Sequence, residues 1–228
     1  MQIAVISDIH SNYYYLKRVM NEVQKEKVSE IFCMGDLVGY YDQPNEVIAF
    51  CMANKIKCIK GNHESYLLDE ISYPADNEDV YRIKTQKSII KKGNFQFLER
   101  LPNFIDVVFD NKRFYFTHSR PESCQDYLYD FSKLNKDFIA DYDYYIYGHT
   151  HIPLAVYYYG TCILNPGSTG QPRDYTEDPS FALVDLKKNS VKIIKVKFDK
   201  SSYIKKLEND NYSQVATDIL KRKVNGQS

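Results

Sequence analysis

The order of strand and helix patterns in the first third of the chain constrains the fold more than any other feature. Three short apolar runs rich in β-branched residues predict buried strands, at residues 3–7, 30–34 and 56–60. Apolar residues from Leu16 to Val23 follow helical spacing after the first strand, and Pro44 opens a second helix after the second strand. Because strands separated by helices pair in parallel, this order predicts an α/β sheet covered by helices.

Strand patterns dominate the second half of the chain. Residues 110–112 predict a hairpin turn between strands at 105–109 and 113–117. Further strands are predicted at residues 143–147, 154–159, 161–164, 180–186 and 190–198. We expect these strands to form a second, partly antiparallel sheet that faces the first. With helices outside, the predicted architecture is a four-layer α-β-β-α sandwich of two facing mixed sheets.

The length of 228 residues, of which 43% are hydrophobic, favours one main domain with a single substantial core. We place that domain at residues 1–200 and a helical C-terminal tail at residues 201–228. The polar segment 73–101 is predicted to be largely helical. The tail has a modest lysine excess, and we expect a solvated appendage or an oligomer contact rather than a nucleic-acid-binding arm. The apolar residues of the tail leave a homo-oligomer open.

Charge and cysteine usage narrow the class of protein. Lysine plus arginine and aspartate plus glutamate each number 30, so no general attraction to nucleic acid and no extended nucleic-acid surface is expected. The five cysteines are odd in number and lack metal-binding or redox spacing, which predicts reduced thiols. The first residues lack the basic region of a signal peptide, and no window approaches a membrane span. We expect a cytoplasmic protein with no membrane partner.

All five histidines lie in loops that follow predicted strands, and each has a carboxylate, amide, hydroxyl or glycine close by in the sequence. The segments are Asp8-Ile9-His10, Gly61-Asn62-His63-Glu64, Thr117-His118-Ser119 and Gly148-His149-Thr150-His151, and Gly35-Asp36 follows the second strand. Ligands gather beyond the carboxyl ends of strands in open α/β sheets. Imidazole nitrogens and carboxylate oxygens that meet there would suit divalent first-row metals.

Each segment alone has a simpler explanation. An isolated Asp-x-His after a strand is usually a turn or a helix cap, His118 alone could be a hydrogen-bonded histidine at a strand end, and Gly35-Asp36 alone is a turn. A purely structural account must nevertheless explain why no histidine occurs elsewhere. The complete set therefore predicts a metal site.

The motifs together resemble those of the calcineurin-like metallophosphoesterases, in particular the small bacterial and archaeal phosphodiesterase-like branch. The resemblance rests on Asp-x-His, Gly-Asp-x-x-Gly at 35–39, Gly-Asn-His-Glu at 61–64, a lone histidine, Gly-His-Thr-His at 148–151, and the strings GDLVGY, PNEVI and NPGSTGQPRD. It covers nearly everything except the tail after about residue 200. It implies the metallophosphoesterase fold and two divalent metals that share one carboxylate.

Carried over by position, the family pattern implies two sets of ligands. The first metal would be held by Asp8, His10, Asp36 and His151. The second would be held by Asp36, Asn62, His118 and His149, so that Asp36 bridges the two. Two metals about 3.5–4 Å apart can lower the pKa of a shared water and clamp phosphoryl oxygens. Mixed nitrogen and oxygen ligands suit Mn, Fe, Zn, Co or Ni, and we favour Mn.

Three further residues are candidates for contact with substrate. The resemblance implies that His63 is not a ligand but lies beside the metals, where it can donate a proton to the leaving oxygen; the alternative is a histidine that only positions its neighbours. Arg120 and Arg173 could each grip a phosphate oxygen, and a surface salt bridge is the alternative for both. We expect Glu64 to orient its neighbours rather than react.

The resemblance implies a hydrolase in which a hydroxide between two metals attacks phosphorus in line. We expect a phosphodiesterase acting on a small phosphoester, with nucleotide-derived esters among the candidates. A phosphomonoesterase, a dinucleoside polyphosphate hydrolase and a non-enzymatic scaffold of the same fold are the alternatives.

Protein phosphatases of this superfamily carry an arginine shortly after Gly-Asp, and this chain has Tyr40-Tyr41 there. Ser119 and Tyr41-Asp42 also depart from the family pattern, and we expect them to shape the substrate rim.

Overall fold

The computed structural model describes residues 1–174 and 176–222, and these contain two five-stranded sheets. The strands are β1 (Gln2–Ile6), β2 (Glu30–Cys33), β3 (Lys57–Cys58), β4 (Phe104–Phe109), β5 (Lys112–Thr117), β6 (Tyr144–Ile146), β7 (Leu154–Tyr158), β8 (Thr161–Asn165), β9 (Ser180–Asp185) and β10 (Ser190–Lys195). The α-helices are α1 (Tyr13–Lys25), α2 (Pro44–Ala53), α3 (Asn62–Leu67), α4 (Glu78–Tyr81), α5 (Ile83–Ile89), α6 (Lys92–Glu99), α7 (Lys136–Ala140), α8 (Ser201–Asn209) and α9 (Gln214–Leu220).

The first sheet has the order β10-β9-β1-β2-β3. Strands β1, β2 and β3 pair in parallel, as the strand and helix order predicted. The expectation that β9 and β10 belong to the second sheet is wrong, because β9 pairs antiparallel with β1 and β10 pairs with β9. The reason is the loop after β8, where the backbone N–H of Thr169 donates to the carbonyl of Ser7 at 2.8 Å. That loop crosses between the sheets and leads the chain back along the free side of β1.

The second sheet has the order β4-β5-β6-β8-β7. Its centre is parallel, and each edge is an antiparallel hairpin. The predicted hairpin turn is confirmed, since Asp110 and Asn111 have φ values of 48° and 61°. Two successive left-handed residues match the right-handed twist of the flanking strands.

Both faces of the central strands are buried, which places the core between the sheets as well as under the helices. Ile3 and Val5 point between the sheets, where the rings of Phe32 and Phe116 stack with centroids 4.1 Å apart. The intervening Ala4 packs on the other face among residues of the helices. The outer face of the second sheet is covered by α7 and the segment before it. The predicted α-β-β-α sandwich is therefore confirmed.

The segment 73–101 is helical as predicted, formed by α4, α5, α6 and a 3-10 turn at Ala75–Asn77. Arg82 has a φ of 57°, and this left-handed conformation ends α4 and separates it from α5. The described helices include none that is long and apolar enough to cross a membrane. All five cysteines are free thiols.

The C-terminal helices α8 and α9 pack on the body of the protein. Tyr203 and Leu207 are buried beside Tyr41, whose hydroxyl donates to the carbonyl of Ala216 at 3.1 Å. The Tyr203 hydroxyl donates to Asp42 at 2.8 Å. The expectation of a solvated appendage is wrong for residues 201–222, because the apolar face of α8 packs against Tyr41 and neighbouring tyrosines of the main domain. The domain boundary at residue 200 stays a prediction, and the end of the predicted tail, 223–228, lies outside the described residues.

Candidate metal centre

The predicted ligands meet where the carboxyl ends of the two sheets face each other. Asp8 and His10 follow β1, Asp36 follows β2, and Asn62 begins the helix after β3. From the second sheet, His118 follows β5, and His149 and His151 follow β6. All seven side chains are buried, although they are polar. Such burial requires partners for every polar atom, which a bound cation and neighbouring carbonyls can supply.

One predicted ligand set surrounds a point between Asp8, His10, Asp36 and His151. Their donor atoms all lie within 4.8 Å of one another. The Nε2 atoms of His10 and His151 are 3.1 Å apart, and His10 Nε2 is 3.7 Å from Asp36 Oδ2. His151 Nε2 is 3.5 Å from Asp8 Oδ1. This convergence of nitrogen and carboxylate oxygen atoms fits a divalent metal.

The other predicted ligand set shares Asp36 with the first. His118 Nε2 is 3.4 Å from Asp36 Oδ2, 3.2 Å from His149 Nδ1 and 3.0 Å from the Asn62 side-chain oxygen. The donor atoms of Asp36, His118 and His149 again lie within 4.8 Å of one another. Asp36 therefore stands between two groups of donors, as the family pattern implies for a bridging carboxylate.

Backbone carbonyls fix the orientation of the four histidine rings. In each ring, the nitrogen that points away from the centre donates to a carbonyl. The pairs are His10 Nδ1 with Val38 at 3.1 Å, His118 Nδ1 with Met34 at 2.5 Å, His149 Nε2 with Gln125 at 3.0 Å, and His151 Nδ1 with Gln171 at 2.6 Å. Because the outer nitrogen holds the proton, the inner nitrogen presents a lone pair to the centre.

Burial and charge divide the protonation states within the centre. Burial lowers the pKa of His149 to about 3, and it holds the pKa values of His10 and His151 well below their usual range. Burial also acts to lower the pKa of His118, but the charge of Asp36, its hydrogen bond to the ring and the charge of Asp8 together outweigh burial and raise that pKa to about 9. A protein without metal would thus keep a proton on His118 that a cation must displace.

The backbone at the predicted ligands is strained. Asp8, His10, Asp36, His149 and His151 all have φ values between 50° and 63°, in the left-handed region that non-glycine residues seldom adopt. Such conformations cost about 1–3 kcal/mol each and persist where surrounding contacts impose them. Their concentration at one place supports the choice of this centre as the candidate functional site.

Glu64 holds the loop after β2 against the start of α3. Its carboxylate accepts hydrogen bonds from the backbone N–H groups of Asp36, Leu37, Val38 and Gly61, at 2.7–3.1 Å. Gly61 leaves no room for a side chain, since a Cβ there would lie 2.2 Å from Asp36 Oδ1. Glu64 thus orients its neighbours, in agreement with the sequence-based expectation.

Gln86 is a buried residue that connects the loops around the centre, and sequence analysis missed it. Its side-chain oxygen accepts from the hydroxyl of Ser11 at 2.9 Å and from the N–H of Gly39 at 2.7 Å. Its amide donates to the carbonyl of Tyr41 at 2.8 Å. One side chain of α5 therefore ties together the loops after β1 and β2. No motif signals it, because a lone glutamine in a polar helix resembles a surface residue.

His63 lies beside the two ligand sets and belongs to neither. Its backbone N–H donates to Asp36 Oδ1 at 2.9 Å, and its ring lies 4.7 Å from that of His10. The buried Nδ1 has no hydrogen-bond partner among the described residues. Burial lowers the pKa of His63 to about 4. Gly39, with a φ of 90°, makes room for this ring, since a Cβ there would lie 2.1 Å from Nδ1.

The two candidate arginines lie in different places. Arg173 lines the cleft over the centre, and its guanidinium donates to the Tyr40 hydroxyl at 3.0 Å. Arg120 is not among the residues that line this cleft and forms an ion pair with Asp126. The structure therefore brings Arg173, but not Arg120, together with the predicted ligands. A phosphate contact by either residue stays a prediction.

Tyrosines form much of the cleft wall, and sequence analysis assigned none of them to it. Tyr40, Tyr81 and Tyr127 line the cleft together with His63 and Arg173. Tyr40 belongs to the stretch where the arginine of protein phosphatases is missing, so its ring replaces a charge with an aromatic surface. The neighbouring Tyr41, which we expected at the substrate rim, is fully buried and holds the tail instead.

The model of the calcineurin-like phosphoesterase superfamily domain matches residues 1–189 of this chain. The chain belongs to that superfamily. An uncharacterized protein of Methanocaldococcus jannaschii is 33% identical over 224 residues, which cover 91% of this chain and 92% of that protein. The family resemblance drawn from the motifs is therefore confirmed.

Solved structures of this calcineurin-like fold extend the similarity over almost the whole chain. The metallophosphoesterase from Sphaerobacter thermophilus superposes with a TM-score of 0.79 at 23% identity, covering 97% of this chain and 99% of its own. A hypothetical protein from Pyrococcus horikoshii OT3 gives a TM-score of 0.83 at 18% identity, covering 100% and 99%. Both comparisons show a shared fold.

Membership of this superfamily also bears on the metal centre. Phosphoesterases of this family bind two divalent metals, and the chain offers two adjacent groups of nitrogen and oxygen donors in a buried place. Inward-facing imidazole nitrogens and a shared carboxylate are the donors that such ions need. The residues therefore fit the metals that the family implies.

Proposed function

We propose that this phosphoesterase is a cytosolic dimetal phosphodiesterase that works with manganese. In this proposal Asp8, His10, Asp36 and His151 hold one ion, and Asp36, Asn62, His118 and His149 hold the other. The observation that carries the proposal is the position of Asp36 between two groups of inward-facing donors. When bound, two such ions supply an activated water and neutralise charge on phosphoryl oxygens.

A diester suits the charge of the cleft better than a monoester. Arg173 is the one guanidinium or ammonium group among the described residues that line the cleft, and much of the remaining wall is tyrosine. A phosphodiester carries one negative charge and has two organic substituents, so one guanidinium and an aromatic wall match it. In addition to the proposed metal ions, a monoester dianion would gain from a second cationic side chain, which Tyr40-Tyr41 does not provide.

His63 is proposed to protonate the leaving oxygen. Its ring lines the cleft and belongs to neither group of donors. Burial keeps the ring neutral, with a pKa of about 4. An anionic phosphate next to the ring favours the imidazolium form, so substrate binding raises this pKa towards neutrality. Arg173 is proposed to hold a phosphoryl oxygen while the P–O bond breaks.

The proposal is tested by comparing the hydrolysis of bis(p-nitrophenyl) phosphate and p-nitrophenyl phosphate by manganese-loaded protein. We expect a higher kcat/KM for the diester and loss of activity after treatment with EDTA. A higher kcat/KM for the monoester would make the protein a phosphomonoesterase. Full metal content without cleavage of either compound would overturn the proposal, and would favour a dinucleoside polyphosphate hydrolase or a non-enzymatic scaffold.

A further inference from the structure

A stack of aromatic rings adjoins the cleft and has no role in the chemistry described so far. The ring of Tyr127 lies almost parallel to that of Tyr129, with centroids 5.6 Å apart and planes at 4°. On its other side, Tyr127 stacks on His149 at 4.3 Å and 25°. A column of three rings therefore leads outward from a predicted metal ligand to the surface.

The outer end of this column is open to solvent. Tyr127 is 44% exposed and Tyr129 is 63% exposed, whereas the proposed ligands are at most 6% exposed. Exposed tyrosines that stack on each other leave a flat apolar face for a further planar group. Among the described residues, Tyr129 stacks on no aromatic ring other than that of Tyr127.

The same two tyrosines line a groove of about 650 Å³, together with Arg120, Asp126 and Lys133. Arg120 is paired with Asp126. Lys133 makes no ion pair within residues 1–174 and 176–222, so its charge is available to an anion. Aromatic faces next to cationic side chains are the combination with which proteins hold single-stranded nucleotides.

We propose that Tyr127 and Tyr129 form a nucleobase subsite, and that the substrates are phosphodiesters with a nucleoside on one ester oxygen. This inference rests on the proposed function. Tyr127 lines both the cleft and the groove, so a nucleoside phosphate can reach from one to the other. A planar base stacks on the open outer face of Tyr129, and the phosphate end of the substrate extends past Tyr127 to the metal centre. Lys133 then attracts a further phosphate of a longer substrate.

The reaction remains a simple hydrolysis. The oxygen of water forms a bond to phosphorus, and the bond between phosphorus and the leaving oxygen breaks. One proton of that water ends on the leaving oxygen. The products are an alcohol and a nucleoside monophosphate, so no oxidant, reductant or second substrate is needed. The tyrosines act on substrate binding and leave the reacting atoms to the metal centre.

The test uses two diesters with the same leaving group and the same charge: thymidine 5′-(p-nitrophenyl phosphate) and methyl p-nitrophenyl phosphate. Full-length, manganese-loaded protein is assayed with both, and the ratio of the two kcat/KM values is measured. The variants are Tyr129→Leu, which removes the ring, and Tyr129→Phe, which keeps it. Tyr157→Leu is the matched control, because Tyr157 is 68% exposed on β7 and lines neither the cleft nor the groove.

We expect the wild type to prefer the thymidine ester, and Tyr129→Leu to lower the ratio by about 10-fold, as for the loss of one base–aromatic stack. Tyr129→Phe and Tyr157→Leu should keep the wild-type ratio. A wild type without preference, or an unchanged ratio in Tyr129→Leu, would overturn the nucleobase subsite while leaving the phosphodiesterase intact. Failure to cleave either ester would instead overturn the proposed function. Melting temperature and metal content show whether each variant is folded.

Discussion

The floor and the rim of the cleft are built in opposite ways. The floor consists of the seven proposed ligands, all of which are buried and five of which have a strained backbone, and carbonyls and Glu64 hold it in place. The rim consists of Tyr127, Tyr129 and Arg173, which lie on loops and are partly exposed. A floor set by the ends of several strands can hardly change without loss of the site. Loops can change one residue at a time, so substrate preference belongs to the rim.

Removal of the shared carboxylate should have the largest effect. We expect Asp36→Ala to lose most bound metal and nearly all diesterase activity, because both groups of donors lose one oxygen. Elemental analysis of dialysed protein measures the metal, and Asp79→Ala, an exposed aspartate of α4, is the control. If Asp36→Ala keeps two ions per chain, Asp36 is not the bridge and the floor is described wrongly.

The next largest effect should separate proton donation from metal binding within the floor. His63→Ala is expected to keep two ions per chain and to lower kcat by about 10²–10⁴-fold, the usual contribution of a general acid. Metal content and kcat are measured on the same preparation. Loss of one ion would make His63 a ligand, and an unchanged kcat would leave it a structural residue.

A third variant tests how much of the rigidity of the floor comes from Glu64. In Glu64→Gln an amide N–H₂ must face backbone donors, and we expect a loss of about 2–4 kcal/mol in the free energy of unfolding. Urea unfolding measures the change, with Glu99→Gln on the exposed surface of α6 as the control. Equal stabilities of the two variants would mean that the four hydrogen bonds do not hold the loop.

The smallest effect is expected at the rim. Arg173→Gln should raise the KM for a diester by about 10-fold, since one charge-assisted hydrogen bond contributes about 1.5–3 kcal/mol. Metal content should stay unchanged, because Arg173 belongs to neither group of donors. The exposed Arg100→Gln serves as the control. A loss of metal in Arg173→Gln would break the distinction between floor and rim.

The same distinction explains what the sequence could predict. The floor was predictable because its residues stand in short motifs directly after strands, and parallel strands bring such residues to one edge of a sheet. The hydrogen-bond partners of Glu64 and Gln86 depend on how the loops fold around these two residues. Glu64 belongs to the Gly-Asn-His-Glu motif, which drew attention to it, whereas Gln86 belongs to no motif. Of the rim, sequence analysis named Arg173 as a candidate but missed Tyr127 and Tyr129, because both lie on a long loop with no periodic pattern.

The fold shows the same limit. The parallel order of β1, β2 and β3 followed from the alternation of strand and helix patterns. The assignment of β9 and β10 to a sheet did not, because an antiparallel strand can join either sheet and its own pattern does not distinguish them. The crossing of residues 165–170 over the end of β1 decides between the sheets, and it depends on contacts such as that between Thr169 and Ser7.

The docked tail has a consequence for how such a protein can diversify. The matched family domain ends at residue 189, yet the tail beyond it touches Tyr41 and Asp42, and Tyr212 packs 4.3 Å from the guanidinium of Arg82. The residues next to these contacts, Tyr40 and Tyr81, form the cleft wall. Changes in this tail can therefore reshape the entrance for substrates while every proposed ligand stays in place. Peripheral sequence thereby becomes a source of new specificity that comparisons of the shared motifs overlook.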